Sequence, residues 1–426
     1  MSESLDDWGG AEFVLAADRL DTPDVIEAAD PGDMLRQVAS SAAQVRTALL
    51  SCQETDLSAF TPDARPRAIV VAGLGGSGLA GEMLSAVTGP SSPVQIVATQ
   101  AERLPGWVGA ADAVIAVSAS GTTAETLAVA TEAARRGCRL AGVGAKGSAL
   151  HRIAEQARAP FIPAVAAGPP GSILPRSMLW ALAVPLLVIA ERLGVARVGP
   201  EVYEQAARRL EEVSHQCRPA SESFVNPGKS LALDLVGTLP VVWGTSELSG
   251  VAARRFAAQL SDNAKYPAIV GVLPEAAHNQ IAALDGPFSP AAGRPPPASP
   301  SPLTPPTSPS PFSEADEDLP GLPDLSSWDL GYEDEPPARG FTPLRLVVII
   351  DPGQDQRVAA QQRAVAELAA QRGLGLSELA MDDEHPLVRL AGVIQLADYA
   401  SVYLAIASGI DPSQTAAATD LQARIE

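Results

Sequence analysis

Two short apolar runs, each emptying into a loop of glycines or hydroxyls, constrain this chain more than any other feature. The first is Ala68-Ile-Val-Val-Ala72, followed by Gly73-Leu-Gly-Gly-Ser-Gly78; the second is Ala113-Val-Ile-Ala-Val117, followed by Ser118-Ala-Ser-Gly-Thr-Thr123. Runs that are apolar at every position suit strands covered on both faces, and each loop leads into a helical stretch. Successive strand–loop–helix units predict an α/β fold with a mostly parallel, doubly wound sheet, in which ligands bind beyond the carboxyl ends of the strands. Both loops should then open onto one crevice.

A loop at a helix N-terminus offers backbone N–H groups and the positive end of the helix dipole, which suits a phosphate. Glycines let the backbone approach closely, and hydroxyls add donors. Ser118, Ser120 and Thr123, spaced around a tight turn, could converge on one phosphate. No Lys or Arg lies in either loop, which disfavours a P-loop ending in Gly-Lys-Ser/Thr. Gly73, Gly75 and Gly78 also fit G-x-G-x-x-G, the spacing of a dinucleotide site. That site wants an acidic residue roughly 20 positions on, at the end of the second strand, where this chain has Ala98-Thr-Gln100. A phosphomonoester is the better match, and a nucleotide cofactor remains the alternative.

With 426 residues the chain can build two domains, and its net charge of −20 argues against nucleic acid or an anionic membrane surface as partner. Cys52, Cys138 and Cys217 are widely spaced and match no metal pattern, as expected of reduced cytosolic thiols. The acidic stretch at residues 1–8 lacks the basic and apolar regions of a signal peptide, and the longest apolar run, 178–190, is interrupted by Pro185 and short for a membrane span. A soluble, cytoplasmic protein is expected.

In chain order, residues 1–39 read as a lead-in, in which Asp30-Pro-Gly-Asp33 forms a turn with a capping Asp before a helix over 34–50. Residues 40–195 read as the first domain, 196–220 as a connecting amphipathic helix, and 221–426 as a second α/β domain. Arg176, in Pro175-Arg-Ser177 at the mouth of the long apolar helix, is a candidate functional guanidinium, because a charge opening a buried helix is seldom only solvated. In the second domain Asp262, Lys265, Glu275 and His278 crowd a short segment between strands and helices, enough for acid, base and electrostatic roles. Residues 287–340 turn abruptly Pro-rich and then acidic, a composition expected to form a disordered insertion.

Taken in order, Gly73-Leu-Gly-Gly-Ser-Gly-Leu-Ala-Gly81, Ser118-Ala-Ser-Gly-Thr-Thr-Ala-Glu-Thr126, Pro175-Arg-Ser177, Asn226-Pro-Gly-Lys229, Asp262-Asn-Ala-Lys265, Pro274-Glu-Ala-Ala-His-Asn279 and Gly409-Ile-Asp-Pro412 resemble the bifunctional phosphoglucose/phosphomannose isomerases of the sugar isomerase (SIS) superfamily, in an actinobacterial-type version. The resemblance implies two SIS domains, a homodimer with its active site at the interface, and no cofactor. It further implies that Gly76, Ser77, Ser118, Ser120 and Thr123 hold the sugar phosphate, that Arg176 stabilises an enediolate, and that His278 assists ring opening. The chain departs from that family twice: Asp262 stands where the family has a catalytic Glu, and Gln422 where it has a Lys.

Aldose–ketose isomerisation needs a carboxylate to carry a proton between C1 and C2, donors for the enediolate oxyanion, and an anchor remote from the chemistry. Asp262 is the candidate base, Glu275 its understudy, and Arg176 with Lys265 the charge balance. The chain is expected to isomerise glucose 6-phosphate and/or mannose 6-phosphate to fructose 6-phosphate; the alternative is a SIS-type sensor that binds the sugar phosphate without converting it.

Overall fold

Residues 6–165, 173–290 and 342–425 are described by the structure, a computed structural model. Four helices come first: α1 (Asp6–Asp21), α2 (Pro23–Ala29), α3 (Met34–Ala39) and α4 (Ser41–Glu54). The helix expected over 34–50 is thus two, interrupted at Ser40. The Ser40 and Ser41 hydroxyls donate back to the Gln37 and Val38 carbonyls (2.7 and 2.8 Å), a local competition that interrupts helices. The capping acid is Asp30, whose carboxylate accepts from Met34 N and Leu35 N at 2.8 and 2.9 Å. Asp33 instead takes a left-handed φ of 53°.

The first sheet contains β1 (Ala68–Ala72), β2 (Gln95–Thr99), β3 (Ala113–Ser118), β4 (Arg139–Gly144) and β5 (Phe161–Pro163), all parallel, in the order β2-β1-β3-β4-β5. The connections are α5 (Gly76–Thr88), α6 (Ala124–Arg135) and α7 (Ala149–Gln156). Then follow α8 (Leu179–Arg192), α9 (Gly199–Gln216) and α10 (Pro227–Leu235).

The second sheet, of β6 (Leu239–Gly244), β7 (Ile269–Val272), β8 (Leu344–Ile350) and β9 (Gly375–Ala380), repeats the pattern as β7-β6-β8-β9, again parallel. Its helices are α11 (Glu247–Gln259), the short α12 (Ala276–Asn279), α13 (Gln356–Gln371) and α14 (Pro386–Ala407), and α15 (Ala416–Ile425) closes the chain. The insertion expected over 287–340 lies, from residue 291 on, outside the described residues.

One central core joins the two sheets. Ile69, Val71, Ile115 and Val117 face it from the first, Val242, Val347 and Ile349 from the second, with α8 and α14 between. The alternate residues Val70, Ala72, Val114 and Ala116 fill a separate core on the first sheet's outer face, and Val241, Trp243, Leu346 and Val348 fill one on the second's. Burial on both faces is what the unbroken apolar strands required. The α14 helix is long and apolar enough to cross a membrane, yet 94% of its most apolar window is buried inside the protein.

Candidate functional site

At the switch point of the first sheet, where β1 sits between β2 and β3, the two loops lie in contact. A Cβ added to Gly73 would come within 2.9 Å of the Val117 carbonyl oxygen, and one on Gly78 within 2.7 Å of the Gly73 oxygen. Only glycine permits this approach. Ser77 is buried there, its hydroxyl without a partner among the described residues, while Gly76 borders open space. The Gln100 side chain packs over Gly78, at the place where a dinucleotide site wants its acid.

The second loop folds its hydroxyls into one cluster. Ser118 Oγ lies 2.9 Å from Thr123 Oγ1 and 3.4 Å from Ser120 Oγ, and Thr122 Oγ1 donates to Ser120 Oγ at 3.0 Å. Gly121 makes the turn with φ +67°. Thr122 was not singled out by sequence, although it sits inside the quoted stretch. In the second sheet the equivalent switch point holds a carboxylate of its own. Buried Asp351 accepts from the Ser246 hydroxyl at 2.6 Å and from Arg389 Nη1 at 2.5 Å. Among the described residues, the hydroxyls of the first sheet's loop bond no such internal anion.

Arg176 reaches the second half of the chain. Its Nε donates to Asn263 Oδ1 at 2.9 Å and its Nη2 to the Pro412 carbonyl at 2.6 Å, bringing Pro175-Arg-Ser177, Asp262-Asn-Ala-Lys265 and Gly409-Ile-Asp-Pro412 together. Asp262 and Asn263 belong to a π-helical turn, Leu260–Ala264, a rare geometry that recurs at functional sites. It ends on Lys265 with φ +61°, whose Nζ donates to the carbonyls of Asp262 (2.7 Å) and Gln414 (2.8 Å). Asp262 itself is exposed, and Asn263 is fully buried. Burial draws the Arg176 guanidinium below its ordinary value, with the Asp262 charge opposing and Arg255 adding. Burial and then Arg176 lower the Lys265 ammonium, against Asp411 and Asp262.

Glu275 and His278 stand apart from these groups. Both are exposed, and α12 packs through Ala276 into the core on the outer face of the second sheet. Leu260 and Ala264 of the π-turn pack into the central core on the opposite face. Glu275 accepts from Asn279 Nδ2 at 3.0 Å, and His278 has no side-chain partner among the described residues. Within one chain, then, the sheet separates His278 from Asp262. Gln422 lies in α15, its side chain outside the described residues.

Residues 224–425 match a family model described as the bacterial phospho-glucose isomerase C-terminal SIS domain. A bifunctional phosphoglucose/phosphomannose isomerase of Caldicellulosiruptor bescii is 29% identical over 219 residues, 51% of this chain and 63% of that protein. Another from Aquifex aeolicus is 29% identical over 224 residues, 52% of this chain and 63% of its own length. The matched region thus spans somewhat less than two thirds of these relatives. A hypothetical protein from Thermus thermophilus shares the fold, with a TM-score of 0.61 at 14% identity over 98% of this chain and 95% of its own. Over residues 224–425, then, the chain is similar to the bacterial phospho-glucose isomerase C-terminal SIS domain, and over about half its length to bifunctional phosphoglucose/phosphomannose isomerases.

Proposed function

We propose that the protein is a phosphosugar isomerase that interconverts glucose 6-phosphate and/or mannose 6-phosphate with fructose 6-phosphate through an enediolate. The observation that carries this reading is the joining of Arg176 to the Asp262-Asn263 turn by a 2.9 Å hydrogen bond, a fixed cation next to a solvent-reachable carboxylate. The hydroxyls of Ser77, Ser118, Ser120 and Thr123, with the Gly76 backbone, anchor the phosphate at C6. Asp262 takes the proton from C2 of the aldose and returns one to C1, and Arg176 donates to the oxyanion that develops between. Such general-base help is worth about 10²–10⁴-fold, and an oxyanion donor about 10²–10³-fold. Proton transfer between adjacent carbons calls on no redox cofactor.

Ring opening is assigned to His278, with Glu275 nearby as a second carboxylate. Their separation from Asp262 by the second sheet of one chain favours a homodimer in which a partner subunit supplies them, and a cytoplasmic location suits a substrate of central sugar metabolism. A second reading, a sensor that binds sugar phosphate without turnover, is motivated by Asp262, one methylene shorter than the family's Glu. A coupled assay separates them. Formation of fructose 6-phosphate from either aldose, lost in Asp262→Asn, is the expected result; wild-type protein that binds the sugar phosphate but yields no product would leave the sensor.

A further inference from the structure

Arg176 is held at both its side chain and its main chain by one closed path of hydrogen bonds. From Asn263, which accepts the Arg176 Nε–H at 2.9 Å, the path continues through Asn263 Nδ2 to Ser401 Oγ (2.9 Å) and from Ser401 Oγ to the Asp398 carbonyl (2.7 Å). The Asp398 carboxylate then accepts Arg255 Nε at 2.9 Å and Nη2 at 2.7 Å, and the same Nη2 donates to the Arg176 carbonyl at 2.8 Å. The members come from the 3₁₀ turn Pro175–Ser177, the π-turn, α11 and α14.

Asn263 and Ser401 are fully buried, and the Arg255 and Asp398 side chains are 3% and 5% exposed. Burying an ion pair returns little net stability against an apolar equivalent, so its retention points to specification of geometry. A guanidinium is a rigid planar fork with five N–H donors. With Nε committed to Asn263 and Nη2 to Pro412, Nη1 alone makes no hydrogen bond among the described residues.

We propose that Asn263, Ser401, Asp398 and Arg255 are positioning residues that lock the Arg176 fork so that Nη1 is the donor presented to the enediolate oxyanion. The inference rests on the isomerase reading above and adds to it a defined support for its cation. None of the four touches the sugar; each acts through Arg176.

A double-mutant cycle between Ser401 and Arg176 tests this, because a path that acts through Arg176 has no effect once Arg176 is gone. Ser401→Ala removes one hydroxyl from a buried helix and should stay folded, which thermal unfolding checks; Asp398→Asn is the second variant. For the wild-type background the expected result is a kcat lowered about tenfold with KM within about twofold, the pattern of lost transition-state stabilisation. In the Arg176→Ala background Ser401→Ala should change kcat by less than about twofold. The same cycle is read by equilibrium binding of arabinonate 5-phosphate, whose carboxylate mimics the enediolate, with inorganic phosphate as a probe of the anchor alone. Affinity for the aldonate should fall with Ser401→Ala only when Arg176 is present, and affinity for phosphate should hold. Equal effects in both backgrounds would overturn the positioning role. Wild-type protein that shows the coupled aldonate binding without turnover sinks the isomerase reading alone, and protein that binds no aldonate sinks both.

Discussion

Ser118 and Thr123, five positions apart in sequence, bring their hydroxyl oxygens to 2.9 Å across a turn that Gly121 makes possible. Ser118 Oγ also accepts from Gly121 N at 3.0 Å, so its own proton is left for another hydroxyl or for a bound anion, and a hydrogen bond to a charged group contributes about 1.5–3 kcal/mol. Ser118→Ala or Thr123→Val should therefore weaken binding of inorganic phosphate about tenfold or more and raise KM for the sugar phosphate, with kcat changing less. Titration calorimetry with phosphate reads this directly.

Gly121 is the least replaceable residue of that loop. Its φ of +67° strains any L side chain, and a Cβ there would lie 2.1 Å from Ser148 Oγ. Gly121→Ala should destabilise the protein by about 1–3 kcal/mol and disperse the hydroxyl cluster. Adding Ser148→Gly should recover part of the loss, the steric part, leaving the backbone strain visible in thermal unfolding.

Asp262 stands exposed on the π-turn, one residue before the buried Asn263 that fixes it in place. Asp262→Asn keeps the shape and removes the carboxylate that is proposed as the base. Turnover should fall about 10²–10⁴-fold while phosphate affinity holds. Asp262→Glu moves the carboxylate by about one methylene, and rates measured for the two hexose phosphates would report how closely the turn is matched to the shorter acid.

Lys229 is a structural cation. Only 1% exposed, its Nζ donates to the carbonyls of Leu20 (2.5 Å), Pro219 (2.8 Å) and Ser221 (2.7 Å), tying α1 to the loop before α10. Burial lowers its pKa, with Asp21 at 3.7 Å opposing. Lys229→Met should leave those carbonyls unpaired and cost about 3 kcal/mol or more, since each stranded polar group costs about 1–3 kcal/mol. Urea unfolding would show the loss, with the m-value unchanged.

Alkaline pH should unfold the protein through buried acids that resist ionising. Burial pushes the Cys52 and Cys217 thiols up to about 12 from 9.0, and the Tyr399 phenol up to about 12 from 10.0. Between the two values the unfolded chain has lost protons that the native state keeps, so stability falls with pH. It is fully present below about pH 9 and lost progressively from pH 9 to 12. Cys217→Ala should flatten that slope in unfolding measured across the range; a slope indifferent to the substitution would discard this account.

What could be read without coordinates is what nearest neighbours in the chain dictate. The unbroken apolar runs at 68–72 and 113–117 required strands covered on both faces, and the small-residue loops behind them required close backbone approach; both follow from residue chemistry over a few positions. Asn263 and Pro412 were legible as members of quoted stretches, without their shared role in holding Arg176. Polar Asp398 and Ser401 inside the apolar α14 were the available sign of a buried network, since such groups persist in a core only with partners. Their partners, Arg255 and Asn263, stand 143 and 138 positions away, and separation along the chain does not tell which distant residues will meet. The same holds for His278, grouped with Asp262 by sequence and set on the opposite face of a sheet by the fold, because strand order, decided only when distant strands pair, governs which face each following turn packs against.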